Sequence, residues 1–119
     1  MNWYLAKLVF QIVCGEGNHV AQFDEQLRLI AADNKEDACR KAYSIGRGEE
    51  ESFLNSKDQL VRWRFIDISE LYLLNELIDG AELYSRIEEQ GNAEAYIHSI
   101  HQKARNLLFG NSHQMLNLV

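Results

Sequence analysis

Proline is absent from all 119 residues, so strands and helices can run without a forced break, and seven glycines and the Asx residues supply the punctuation. Only two cysteines occur, Cys14 and Cys39, with neither a CxxC nor a metal-ligand spacing. That pattern excludes a disulfide scaffold and fits reduced thiols in a cytoplasmic protein. Basic residues are the minority, 12 Lys plus Arg against 18 Asp plus Glu for a net charge of −6. A chain of this sign repels a phosphate backbone on average, so nucleic acid is not an expected partner without a local basic patch. Long apolar runs are missing too: the stretch Leu5 to Cys14 is interrupted by Lys7 and Gln11 and is far shorter than the roughly 20 residues of a membrane span. The opening Met-Asn-Trp-Tyr-Leu has no basic region ahead of an apolar one, which argues against a signal peptide. Equally absent are Gly-x-Ser-x-Gly, His-Glu-x-x-His and a glycine-rich phosphate loop, so no catalytic role and no cofactor is expected.

What is present suits one globular domain over residues 1–119, with a folded core over 1–110 and a tail over 111–119. Composition is ordinary, 46% apolar and 25% charged. Tyr4, Ala6, Leu8, Phe10, Ile12 and Cys14 recur at every second position, which predicts a strand. Gly15 to His19 forms a turn region, and Phe23, Leu27, Leu29 and Ala31 resume the alternation in a second strand. Asp33-Asn34-Lys35-Glu36 has the form of a capping box ahead of Ala38, Ala42 and Ile45 at helical spacing, and Gly46 and Gly48 are suited to end that helix. Leu60 to Leu74, rich in Val, Trp, Phe and Ile, predicts a third strand with a bulge near Asp67. Asp79-Gly80 signals a tight turn, after which Ala81 to Glu88 is expected to return as a fourth strand. Asn92 then caps a second helix carrying Ile97, Ile100, Ala104 and Leu108 on one stripe. The fold these segments predict is α+β, a single four-stranded antiparallel sheet with two helices on one face, in the order ββαββα.

Several of the same segments resemble a family. Trp3-Tyr4, Leu27-Arg-Leu-Ile-Ala-Ala-Asp33, Glu36-Asp-Ala-Cys-Arg-Lys-Ala42, Val61-Arg-Trp-Arg-Phe-Ile66 and Asp79-Gly-Ala-Glu-Leu-Tyr-Ser85, in that order, are similar to the bacterial domain of unknown function 4288 family over about residues 3–86. The resemblance implies a small bacterial intracellular domain and assigns it no activity.

The candidate site residues come from alternation. With Tyr4, Leu8, Phe10, Leu27, Leu29, Trp63 and Phe65 turned to the core, Trp3, Leu5, Lys7, Val9, Gln11, Gln26, Arg28, Ile30, Arg62, Arg64 and Ile66 share the opposite face. That face is half apolar and carries four cations, Lys7, Arg28, Arg62 and Arg64, with Trp3 as its aromatic. Such a mixture predicts an interaction surface, self-associating as a homodimer and able to take a small anion or an acidic protein surface. The plain alternative is that long Lys and Arg stems merely cover the sheet. On the second helix, Glu94, His98 and His101 fall at i, i+4 and i+7 and are the candidates for a metal, although no third strong ligand class is evident and ordinary solvated histidines explain them equally well. The function these features predict is a noncatalytic interaction or binding module; the competing expectation is a small enzyme whose site is assembled from distant strands and leaves no local motif.

Overall fold

A computed structural model describes residues 1–110; the tail over 111–119 lies outside the described residues. The elements run β1 (Asn2–Cys14), β2 (Gln22–Ala32), α1 (Lys35–Gly48), β3 (Glu51–Leu54), β4 (Leu60–Leu74) and α2 (Ala93–Phe109). Four antiparallel strands form one sheet in the order β2-β1-β4-β3, and the sequence of elements is ββαββα, an α+β fold. The chain divides into two compact units, Met1–Ser85 and Arg86–Val119, described separately below.

In the first unit, β1 is the central strand and behaves as its alternation dictates. Tyr4, Ala6, Leu8 and Phe10 are buried and pack with Ile30, Ala38, Ala42 and Phe65 into one core beneath α1. The helix begins one residue later than the capping-box reading implies. Asn34 is the N-cap, its side-chain oxygen accepting the Asp37 amide at 2.8 Å, while Asp33 lies 3.8 Å from the terminal amine. Gly46 belongs to the helix interior: a Cβ there would lie 2.3 Å from the Phe65 ring. The helix runs on to Gly48, with Glu49 as C-cap.

The expected bulge in the strand over 60–74 is present, and it is double. Leu8 opposes Ile68 while Lys7 opposes Glu70, and Phe10 opposes Phe65 while Val9 opposes Asp67, so Ser69 and Ile66 are the extra residues. The strand expected over 81–88 does not form. The fourth strand of the sheet is instead the short β3, joined to β4 by a turn that Asn55 organises: its side-chain oxygen accepts the Lys57 amide at 2.8 Å and the Gln59 amide at 3.0 Å. The Asp79-Gly80 turn does exist, with Gly80 at φ 84° and the Ala81 amide donating to the Ile78 carbonyl at 3.0 Å. Its return segment joins no ladder: β4 ends at Leu74, β1 fills one side of it, and on the other side β3 pairs only Leu60–Trp63. There, beyond β3, the Glu50 carboxylate takes the Phe65 amide at 3.0 Å and the Asp67 carboxylate takes the Ile68 amide at 2.8 Å. The segment turns onto the sheet face away from α1, where Tyr84 meets Tyr72 edge-on at 5.4 Å between centroids.

In the second unit, α2 is capped as its sequence predicts, the Asn92 side chain accepting the Ala95 amide at 3.0 Å. Gly110 follows as C-cap, and no residue of this helix is buried.

Candidate functional site

The face of the sheet away from α1 is assembled row by row from the strand register. Ala31, Trp3 and Leu74 lie side by side, then Leu29, Leu5 and Tyr72, then Leu27, Lys7 and Glu70, then Glu25, Val9 and Asp67, then Phe23, Gln11 and Arg64. The upper rows are apolar and the lower rows polar, as an interaction surface with a greasy half and a charged half requires. Leu5 and Leu74 are buried although they point away from α1.

Between the two halves sits an ionic cluster. The Lys7 ammonium lies 2.8 Å from Glu70 and 3.7 Å from Glu25, and the Tyr72 hydroxyl donates to Glu70 Oε1 at 2.8 Å. The bond to Glu70 raises the Lys7 pKa above its ordinary 10.5, against the opposing cost of leaving water. It also raises the Tyr72 pKa above 10.0, because the carboxylate holds the phenolic proton and repels a phenolate. Glu70 is thus a shared acceptor that ties the return segment's neighbour Tyr72 to the central strand.

Of the residues the sequence marks for this face, Trp3, Lys7, Arg62 and Arg64 are on it. Arg28 is not. It opposes Ala6 and so turns to the α1 side, where it donates to Gln26 through Nε and Nη2 and pairs with Glu49 at 3.3 Å. Gln26 and Ile30 go with it, and Leu27 and Leu29 take their place on the outer face. Ile30 is 1% exposed, whereas Phe23, Leu27 and Leu29 are 55%, 53% and 50% exposed. The reason is visible in the segment itself: Leu27, Leu29 and Ile30 put apolar side chains on both parities, so alternation alone cannot choose. The α1 helix chooses, because it settles over Ile30 and packs Ala38 and Ala42 against it. The four-cation patch is therefore reduced to Lys7, which is paired, and the neighbours Arg62 and Arg64, with Arg64 donating to Gln11 at 3.3 Å.

The feature that sequence reasoning missed is the contrast between the two outer borders of the sheet. Beyond β3, β4 is bulged and its Phe65 and Ile68 amides are held by carboxylates. At the other border β2 runs for 11 residues, and among the described residues no side chain takes a main-chain amide between Gln22 and Ile30. Bulges and captured donors are the usual protection of an edge strand, and their absence leaves a template for another strand.

Three further places carry chemistry-bearing side chains. A groove of about 670 Å³ between α1 and β4 is lined by Cys39, Arg40 and Tyr43 of the helix and by residues 67–71 of the strand. At the far end of β1, His19 accepts the Cys14 amide on Nε2 at 3.0 Å and bonds the Val20 carbonyl through Nδ1 at 2.8 Å. Both ring nitrogens are thus spent on closing the hairpin, which makes His19 a clamp. Cys14 Sγ lies 3.5 Å from the side chains of both Asn55 and Gln59. Glu94, His98 and His101 occupy α2, and among the described residues no three His, Cys, Asp or Glu side chains converge as metal ligands. Among the described residues, no helix is long and apolar enough to cross a membrane.

No curated protein and no solved structure matches the chain. A family model described as Domain of unknown function (DUF4288) matches residues 3–85, a span that takes in all of the sheet but Asn2, α1, the Lys7–Glu70–Tyr72 cluster and Tyr84. The match covers most of the chain, and the protein belongs to the DUF4288 family.

Proposed function

We propose that the protein is a small noncatalytic interaction module that works by adding a strand at the β2 edge. The observation that carries this reading is the long unguarded edge of β2 beside the half-exposed Phe23, Leu27 and Leu29. In strand addition the free main-chain groups supply affinity, and alternate side chains supply selectivity. The polar rows around Arg62 and Arg64 are the rim of the same face, and an acidic partner surface or a small anion fits there by charge. The carboxylates of Glu70 and Asp67 favour a structural role, since Glu70 is committed to Lys7 and Tyr72 and Asp67 to the Ile68 amide. The two half-buried free thiols suit a reducing bacterial cytoplasm.

The test is backbone amide exchange on the full chain at low concentration, with and without an excess of a nine-residue peptide that copies residues 22–30. Slowed exchange confined to β2 supports the reading. Unchanged exchange, or protection at β4 instead, overturns it.

A further inference from the structure

We infer that the strand added to β2 is β2 of a second copy, paired antiparallel about a two-fold axis at Gln26. This inference rests on the reading of β2 as a strand-addition edge and names its partner.

The argument begins with symmetry. Two identical antiparallel strands joined edge to edge are related by a two-fold axis perpendicular to the sheet, which keeps each face on its own side. Residues directly opposite each other must then share parity, so the available registers centre on single residues. Centring on Glu25 sets that carboxylate against the partner's Glu25, a like-charge pair that destabilises. Centring on Leu27 sets Leu29 against the partner's Glu25 and Ile30 against the partner's Asp24, two mismatches of apolar with charged. Centring on Gln26 sets Arg28 against the partner's Asp24 on the α1 side and Leu29 against the partner's Phe23 on the outer side. Each of these pairs occurs twice by symmetry. It also sets Leu27 against the partner's Glu25 and Ile30 against the partner's Gln22, but it is the one register of the three that pairs opposite charges across the axis.

The side chains are already arranged for it. Asp24, Gln26 and Arg28 form a ladder along the α1 side of β2: Gln26 Nε2 donates to Asp24 Oδ2 at 2.6 Å, and Arg28 Nη2 donates to Gln26 Oε1 at 2.8 Å. Trp63 Nε1 also donates to Asp24 Oδ2, at 3.1 Å, and Arg28 Nη2 reaches Glu49. These contacts hold the ladder in place through Asp24 Oδ2 and through Arg28 Nε and Nη2, and leave Asp24 Oδ1 and Arg28 Nη1 to meet across the axis. Opposed residues of antiparallel strands stand about 4.5–5.5 Å apart at Cβ, within reach of such a pair. On the outer side, the half-exposed Phe23 and Leu29 of one copy would cover those of the other. Because the two-fold pairing uses the β2 edge of both copies at once, it closes at a dimer of eight continuous strands.

The experiment is sedimentation equilibrium of the full chain over a wide dilution series, for the natural protein, Arg28→Asp, Asp24→Arg and the double exchange, with circular dichroism to verify folding. The natural protein should dimerise. Each single reversal opposes like charges twice per dimer and should weaken dimerisation about ten-fold or more, with the double exchange restoring it. Should the exchanges unfold the chain through loss of the Glu49 or Trp63 contacts, Leu29→Lys reads the same interface, and it alters a half-exposed position that α1 does not touch. A natural protein that stays monomeric overturns the second-copy inference and leaves the peptide test of β2 standing on its own. A dimer that survives both Leu29→Lys and the single charge reversals overturns it as well. A dimer whose β2 amides exchange as fast as in dilute solution overturns both readings.

Discussion

Gly46 in the last turn of α1 faces the ring of Phe65 so closely that a Cβ at this position would stand 2.3 Å from the ring carbon Cε1. The contact sets how near the helix lies to β4, and the same ring packs with those of Tyr43 and Phe10, at 5.3 Å and 5.4 Å between centroids. Gly46→Ala gains about 1 kcal/mol of helix propensity, but it forces an overpacked core that costs about 1–3 kcal/mol. The expected outcome is a lower urea midpoint. Phe65→Leu in the same chain should make the alanine less costly, a coupling that a double-mutant cycle reads directly.

The facing of β2 is measurable by stability alone. Ile30→Ala empties a site in the core and should cost about 2–5 kcal/mol. Leu29→Ala, one residue away on the half-exposed side, should cost about 1 kcal/mol or less in the monomer, given the transfer value of its remaining burial. Equal losses at the two positions would contradict the register in which Tyr4 opposes Ile30.

Alkaline pH should loosen the outer face. Lys7 and Tyr72 both have pKa values raised in the fold by Glu70. A raised folded pKa contributes stability that is complete below the unfolded value, here near 10, and is lost as pH climbs through the folded value. Phenolate absorbance should therefore show one tyrosine ionising later than the rest. Tyr72→Phe should remove that late component, and Lys7→Met should flatten the alkaline fall in stability.

The β3–β4 turn depends on one side chain. Asn55→Ala strips the acceptor from the Lys57 and Gln59 amides and should cost about 1–2 kcal/mol, with faster amide exchange in β3. Asp58 holds a φ of 59°, so Asp58→Gly should recover up to about 1 kcal/mol by removing the left-handed penalty.

Arg62→Gln with Arg64→Gln should leave thermal unfolding within about 0.5 kcal/mol of the natural protein, as exposed substitutions do. Loss of folding would make these arginines structural and would remove them from any binding rim.

Much of this architecture is written locally. The clean alternation of Tyr4, Ala6, Leu8 and Phe10 fixes β1 and its faces. Asn34 and Asn92 begin the two helices, and the Val-Trp-Phe pattern of β4 places Arg62 and Arg64 outward, because periodicity and capping act over a few neighbouring residues. The return segment after Gly80 and the facing of β2 are decided elsewhere. Residues 81–88 look like a hairpin partner for the chain ahead of Asp79-Gly80, yet β4 ends at Leu74, so residues 75–78 offer no ladder, and Tyr84 packs on Tyr72 instead. Arg28 was expected beside Lys7 and stands on the opposite face, since Leu27, Leu29 and Ile30 leave both parities apolar and a shift of one residue turns every side chain over. That ambiguity is resolved only when α1 closes over Ile30. Sequence sets which segments can be strands and helices; the tertiary structure sets which face each strand shows, because burial is a property of what packs on top.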